Sequence, residues 1–239
     1  MNIVDFKTYS NIRSEYGQCA SWAVWDRDSV GLAYEPDPDG APGFFLNSAV
    51  KALNGISSQQ DLDNAPWELR RDVILVAMNF GERTHEIRKA VKGTGFFCFH
   101  EESGRTSDPR IRDACWQTPM WGAYMTDLVK IQNGKVAPIA QSNSKPIADN
   151  LRRAEFRNEQ VAGLCKELTI LGVSSPTIIA LGNVVYAALT SKESLVMLRD
   201  VCGVDTQILR IRHYSQVAGL SRENYVAKVR EQLKDQSFM

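Results

Sequence analysis

Four strand-like runs of this chain end in side chains able to do chemistry: Asn79 after "VILVAM", Asp127 within "YMTDLVK", Asn183 after "TIIALG" and His213 after "QILRIR". A carboxamide orients water, a carboxylic acid holds or releases a proton, and an imidazole donates a hydrogen bond to growing negative charge. Singly, each has an ordinary explanation: a turn asparagine, a capping aspartate, a surface histidine among arginines. Their shared position is more telling, because open α/β sheets bind ligands beyond the carboxyl ends of their strands.

The elements that must carry these residues are legible from periodicity. Five of the six residues from Val73 to Met78 are bulky and apolar, as in a central strand covered on both faces, and the run stops at Asn79-Phe80-Gly81. Residues 122–131 form a second strand that turns polar at Thr126-Asp127. Phe156, Val161, Leu164, Leu168 and Leu171 recur at helical spacing, predicting one amphipathic helix over 148–172 with Gly172 as its stop. A strand at 177–182, a short helix from Asn183, a strand from 207 and a helix opened by Ser221 complete the series. This alternation predicts an α/β fold, a three-layer α/β/α arrangement around a largely parallel sheet. One domain is expected over 1–239, with residues 71–235 as its core and a less regular portion before them. In that portion "EPDPDGAPG" reads as a loop, and "SWAVW" fits a strand or a helix face equally well, either covering the site or offering a partner surface.

Composition narrows the classes. Of 239 residues, 44% are apolar and 23% charged, as in an ordinary globular protein. No apolar run approaches the roughly 18 residues of a membrane span, and the first residues are polar where a signal peptide is apolar, so a cytoplasmic protein is expected. Twenty-eight basic residues balance 28 acidic ones. A nucleic-acid partner would therefore be held by a local patch. Five scattered cysteines lack the spacing of a zinc site or disulfide framework and read as reduced, buried thiols.

In order and spacing, these segments resemble the uracil-DNA glycosylase superfamily. "AMNFG" is similar to the family's Gly-Met-Asn-Pro-Gly at Met78, Asn79 and Gly81, and "YMTDLVK" to its Tyr-Ile-Thr-Asn-Val-Val-Lys type segment at Tyr124, Thr126, Val129 and Lys130. "IIALGNVVYAAL" looks like the third segment, and "RHYSQ" keeps His213 and Ser215 of a terminal His-Pro-Ser. Phe99 and Gly104 match a phenylalanine followed five residues later by glycine. The resemblance implies a monofunctional DNA glycosylase that flips a base and hydrolyses its glycosidic bond. Asn79 would position the water, His213 would donate to the departing base, and Phe99 would stack on it, with Met78 and Phe80 beside it. No cofactor is implied: the cysteines do not reproduce the iron–sulfur arrangement of some branches, and no metal is called for.

Phe80 and Tyr214 stand where the family carries prolines. A third departure bears on substrate: Asp127 replaces the asparagine that reads uracil, and an ionised aspartate would repel the base O4. A carboxylic acid kept protonated by burial matches the N4 donor and N3 acceptor of cytosine, so the expected substrate is a cytosine-type base, such as hydroxymethylated or glycosylated cytosine in foreign (phage) DNA. Arg83, Arg88, Lys89, Lys130, Arg210 and Arg212 are candidates for a phosphate-gripping rim with Ser215, and Val217 or Leu220 for the wedge that fills the vacated stack. The alternatives are a non-catalytic sensor or inhibitor that binds nucleic acid on the same fold, and a uracil-excising repair enzyme. A nucleotide hydrolase is disfavoured, because "LGNVVYAAL" is no phosphate loop.

Overall fold

A computed structural model describes residues 4–26, 48–79, 95–96, 98–100, 107–137, 145–215 and 219–239. A five-stranded sheet runs in the order β1 (Ala20–Trp22), β3 (Ala123–Val129), β2 (Arg70–Asn79), β6 (Thr177–Leu181), β7 (Gln207–Ile211), and β4 (Ile131–Gln132) and β5 (Lys135–Val136) form a separate antiparallel pair. The pairs β3–β2, β2–β6 and β6–β7 are parallel, and β1 joins β3 antiparallel. The central strand β2 is buried along Val73–Met78, which explains the continuous apolar run in the sequence. "SWAVW" proves to be this antiparallel edge and its exit: Trp22 and Trp25 are buried core residues, so the segment is part of the sheet.

Alternation along the strands divides the core in two. Ile74, Val76, Met78, Tyr124, Ile178 and Ala180 face one layer. It holds α1 (Phe6–Tyr16), α2 (Ser48–Gly55), α3 (Gln59–Asp63), α5 (Lys145–Leu151), α6 (Ala154–Leu171), α7 (Asn183–Leu189) and α8 (Lys192–Cys202). Val73, Leu75, Ala77, Met125, Ile179, Leu181 and Ile211 face the other, with α4 (Asp108–Cys115) and α9 (Arg222–Asp235). Helices thus cover both faces, as the α/β reading requires.

The single helix expected over 148–172 is two. α5 closes with short-range bonds from Arg152 N–H to Asp149 O and Arg153 N–H to Asn150 O, and Arg153 then adopts extended backbone before α6 begins. The two arginines stay in solvent while Leu151 and Val161 are buried on either side of the break. Gly172 ends α6 as expected, in the left-handed conformation (φ 68°) that an L side chain disfavours. Helix α8 was not separated from α7 in the sequence; Ser191 caps it by accepting from Ser194 N–H. The open edge of β7 is covered from α9: Gln236 bonds both backbone groups of Arg210, and Gln232 accepts from Arg212 N–H. Such bonds leave the edge fewer free groups to pair with another chain.

Just past the carboxyl end of β3, an ionic knot closes in the core. Lys130 pairs with Glu167 of α6, both fully buried, and Lys130 Nζ also donates to Thr126 Oγ1 at 2.6 Å. Glu167 Oε1 accepts from Tyr124 at 2.7 Å and Thr126 at 2.8 Å. Gln160 accepts from the backbone N–H of Lys130 and Ile131 and donates to Ile131 O. Removing one member leaves the other buried and uncompensated, which costs about 3–5 kcal/mol. Urea unfolding of Lys130→Met and Glu167→Gln is expected to show losses in that range, with the Lys130→Met/Glu167→Leu double variant losing less than the two singles added.

Candidate active site

The parallel register sets out the site. Ala77 of β2 is level with Asp127 of β3, so both side chains leave the same face, and alternation puts Asn79 on that face one step higher. Asp127 is held from the other side too, its N–H donating to Cys19 O at 3.1 Å. Its side chain is almost completely buried, and Oδ1 meets no hydrogen-bond partner among the described residues. A bare carboxylate there would be strongly disfavoured. Burial is the main cause that lifts the Asp127 pKa to about 7; Lys130 opposes the rise, and the negative charges of Glu167 and Asp108 add to it. Lys130's compensation is divided, because its ammonium is bonded to Glu167 on the opposite layer.

His213 stands two residues past the end of β7. Ser215 N–H donates to its Nδ1 at 3.1 Å, and Ser215 Oγ lies 2.8 Å from the same atom. A backbone N–H can only donate, so Nδ1 is the unprotonated nitrogen and the neutral ring carries its proton on Nε2. Burial lowers its pKa to about 4, which keeps the ring neutral near pH 7. Tyr214 stacks on it, 4.6 Å between ring centres and 16° between planes. Gly182, at the end of β6, has φ 97°, and a Cβ there would lie 3.2 Å from His213 Cβ. The ring is thus fixed in tautomer and place. From β3 to β7 is three strand spacings, about 14 Å, enough for a flat heterocycle between side chains reaching in from both sides.

The remaining expected residues divide. Phe99 is buried in the same core layer as Ala77, at φ 69°, a strained conformation for an aromatic residue. Met78, expected beside the substrate, points the other way into the core with Ile74 and Val76, because one residue along a strand reverses the face. Lys130, expected on a phosphate rim, is fully buried and committed to Glu167. Arg210 and Arg212 are exposed, and Arg210 lies over the Tyr186 ring. Ser215 is exposed but engaged with His213, and Leu220 is partly buried against the α9-side core. Asn183 opens α7 at the end of β6. Phe80, Gly81, Arg83, Arg88, Lys89, Gly104 and Val217 lie outside the described residues.

Three contributors went unnoticed in the sequence. Tyr214 registers there only as a missing proline, yet it is partly buried against the α9-side core, and loss of water, with smaller contributions from the charges of Asp108 and Asp127, raises its pKa well above the usual value. Asp108 opens α4 beside Pro109, and "SDP" is a helix-start signal that could have drawn attention to it. His100 is fully buried, 2.7 Å from Ser21 Oγ and packed on Trp25, and burial drives its pKa down to about 3; its context offers no sequence signal.

Among the described residues no His, Cys, Asp and Glu side chains gather in threes to hold a metal, and all five cysteines are buried. No helix among them is long and apolar enough to cross a membrane. An open groove of about 670 Å³, lined by Leu62, Trp67, Glu68, Arg70 and Trp121, lies at the amino end of β2, away from these residues. No family model matches the chain, and no curated protein matches it.

Asp127 couples the site to stability. Its pKa is raised on folding, so its contribution is most favourable below about pH 4 and is lost as pH rises through about 7. Asp127→Asn removes that loss. The variant is expected to gain on the order of 1–3 kcal/mol over the parent at pH 8 and much less at pH 5, as read by urea unfolding at the two pH values.

Proposed function

We propose that the protein is a monofunctional DNA glycosylase that hydrolyses the glycosidic bond of a flipped cytosine-type base. The observation that carries this reading is Asp127, a buried carboxyl with a bare Oδ1, held close to neutrality on the sheet face it shares with Asn79. A protonated acid there presents one donor and one acceptor, matching cytosine N3 and N4, while its ionised form accepts only, and so bonds cytosine N4 but repels uracil O4. His213 with its proton on Nε2 is suited to bond a base oxygen on which charge accumulates. Asn79, mounted at the end of the central strand of the sheet, is suited to orient water. Phe99 and Tyr214 supply the flat surfaces a flipped base requires.

The chemistry asked of these groups is modest in number. Breaking the C1′–N bond sends its electron pair to the base and leaves positive charge on the sugar. A proton from Asp127 makes the base a better leaving group, and water completes the sugar.

Labelled single- and double-stranded oligonucleotides, each with uracil, cytosine, hydroxymethylcytosine, glucosylated hydroxymethylcytosine or hydroxymethyluracil, test this after alkali treatment. Cleavage is expected only at a cytosine-type base. Asn79→Ala and His213→Ala should each lose on the order of 10²-fold or more in rate. Asp127→Asn should shift preference toward uracil. Cleavage by the parent at uracil alone would overturn the cytosine assignment, and tight DNA binding without cleavage would favour a non-catalytic sensor.

A further inference from the structure

The open groove of about 670 Å³ at the amino end of β2 is walled by two tryptophans, Trp67 and Trp121. Trp67 stands in the segment that enters β2, and Trp121 in the turn that enters β3. The two segments are locked together. Arg70 N–H donates to Gly122 O at 2.8 Å, and a Cβ on Gly122 would run into Glu68 O, so a residue without one, here at φ 79°, lets them close. The rings are braced from behind: Trp67 packs on the core layer of α1 and α6, and Trp121 lies 4.9 Å from Trp116 and 5.7 Å from Trp25 between ring centres. Both keep part of their surface exposed in the groove. Walls already in place lose little freedom when something binds between them.

The charges that line the groove are unbalanced. Arg70 is answered by Asp72 through two bonds, of 3.1 and 2.8 Å. Asp63 and Glu68 are exposed, Asp63 accepts from the uncharged Gln59 at 2.7 Å, and neither carboxylate has an ion-pair partner among the described residues. An acidic groove repels the phosphates of nucleic acid and draws cations, and a cation gains further on the face of an indole. A Lys or Arg side chain suits both features, with its stem along the rings and its head at the carboxylates. Strand β2, ten residues or about 30 Å long, separates this groove from Asn79 at its other end, so an occupant leaves that end of the sheet open.

We infer that the groove is a docking site for a basic, extended segment of a partner protein, with a Lys or Arg side chain lying on Trp67 and Trp121 and its charge toward Asp63 and Glu68. A groove open along its length receives a protruding chain, and fixed aromatic walls give such a segment its anchor. The inference is independent of the glycosylase reading and concerns binding alone.

The test presents the full-length protein to a display library of random peptides and titrates the enriched peptides by fluorescence anisotropy. Those peptides should carry Lys or Arg beside apolar residues, and their affinity should fall as salt rises. Glu68→Lys, a change at an exposed position, should weaken them by about 10-fold or more while the urea midpoint stays near the parent value. Trp67→Ala should weaken them as well, and Trp67→Phe, which keeps an aromatic face, should recover part of the loss. Enrichment of acidic or uncharged peptides, no enrichment above an uncoated surface, or affinities unmoved by both Glu68→Lys and Trp67→Ala would overturn the inference. Direct binding of a single-stranded oligonucleotide that Trp67→Ala abolishes would overturn it too, by making the groove a nucleic-acid site. None of these outcomes depends on DNA cleavage.

Discussion

The structure depends on the buried pair of Lys130 and Glu167. It closes the carboxyl end of β3 onto α6, and Tyr124, Thr126 and Gln160 use their polar groups on the same knot. Buried ion pairs are seldom the most stabilising filling for a core, but they fix register, because any slip leaves a charge without a partner. Here what is fixed is β3 against α6. With Thr126 turned to Glu167, alternation sends Asp127, not Thr126 or Leu128, to the opposite face, level with Ala77.

The two faces of β3 therefore hold contrasting electrostatics within two residues. On one, Thr126 joins a network with matched charges. On the other, Asp127 has no hydrogen-bond partner for Oδ1 among the described residues, and folding raises its proton affinity. A core built only for stability would place an apolar side chain there. A carboxyl retained at such cost is the feature expected of a site whose acid must stay protonated near neutral pH. The His213 mount makes the complementary choice, with Ser215, Tyr214 and Gly182 keeping an imidazole neutral and oriented.

Much of this was legible in the sequence, for definite reasons. The run from Val73 to Met78 identified the central strand because a strand covered on both faces needs no polar alternation. Ser221 and Gly172 marked helix ends because their backbone roles have few substitutes. The break at Arg152-Arg153 was hidden, since apolar spacing continues across it and only the backbone bonds of α5 reveal the turn. Lys130 looked like a surface cation because sequence alone does not show Glu167, 37 residues away, beneath it. Met78 looked like a site residue through its neighbours in the motif, although strand alternation sends it to the other layer. Tyr214 acquires meaning only when β7 and β3 are set in one sheet, where the charge of Asp127 reaches its phenol.

The central claim is hydrolysis of a glycosidic bond with the base leaving intact. Its most direct measurement is mass spectrometry of the products formed from cytosine-type DNA in heavy-oxygen water. The account predicts a free, undeaminated base and one heavy oxygen on C1′ of the abasic sugar. A deaminated base still attached to the strand, a cut phosphodiester with the base in place, or unchanged DNA would contradict it.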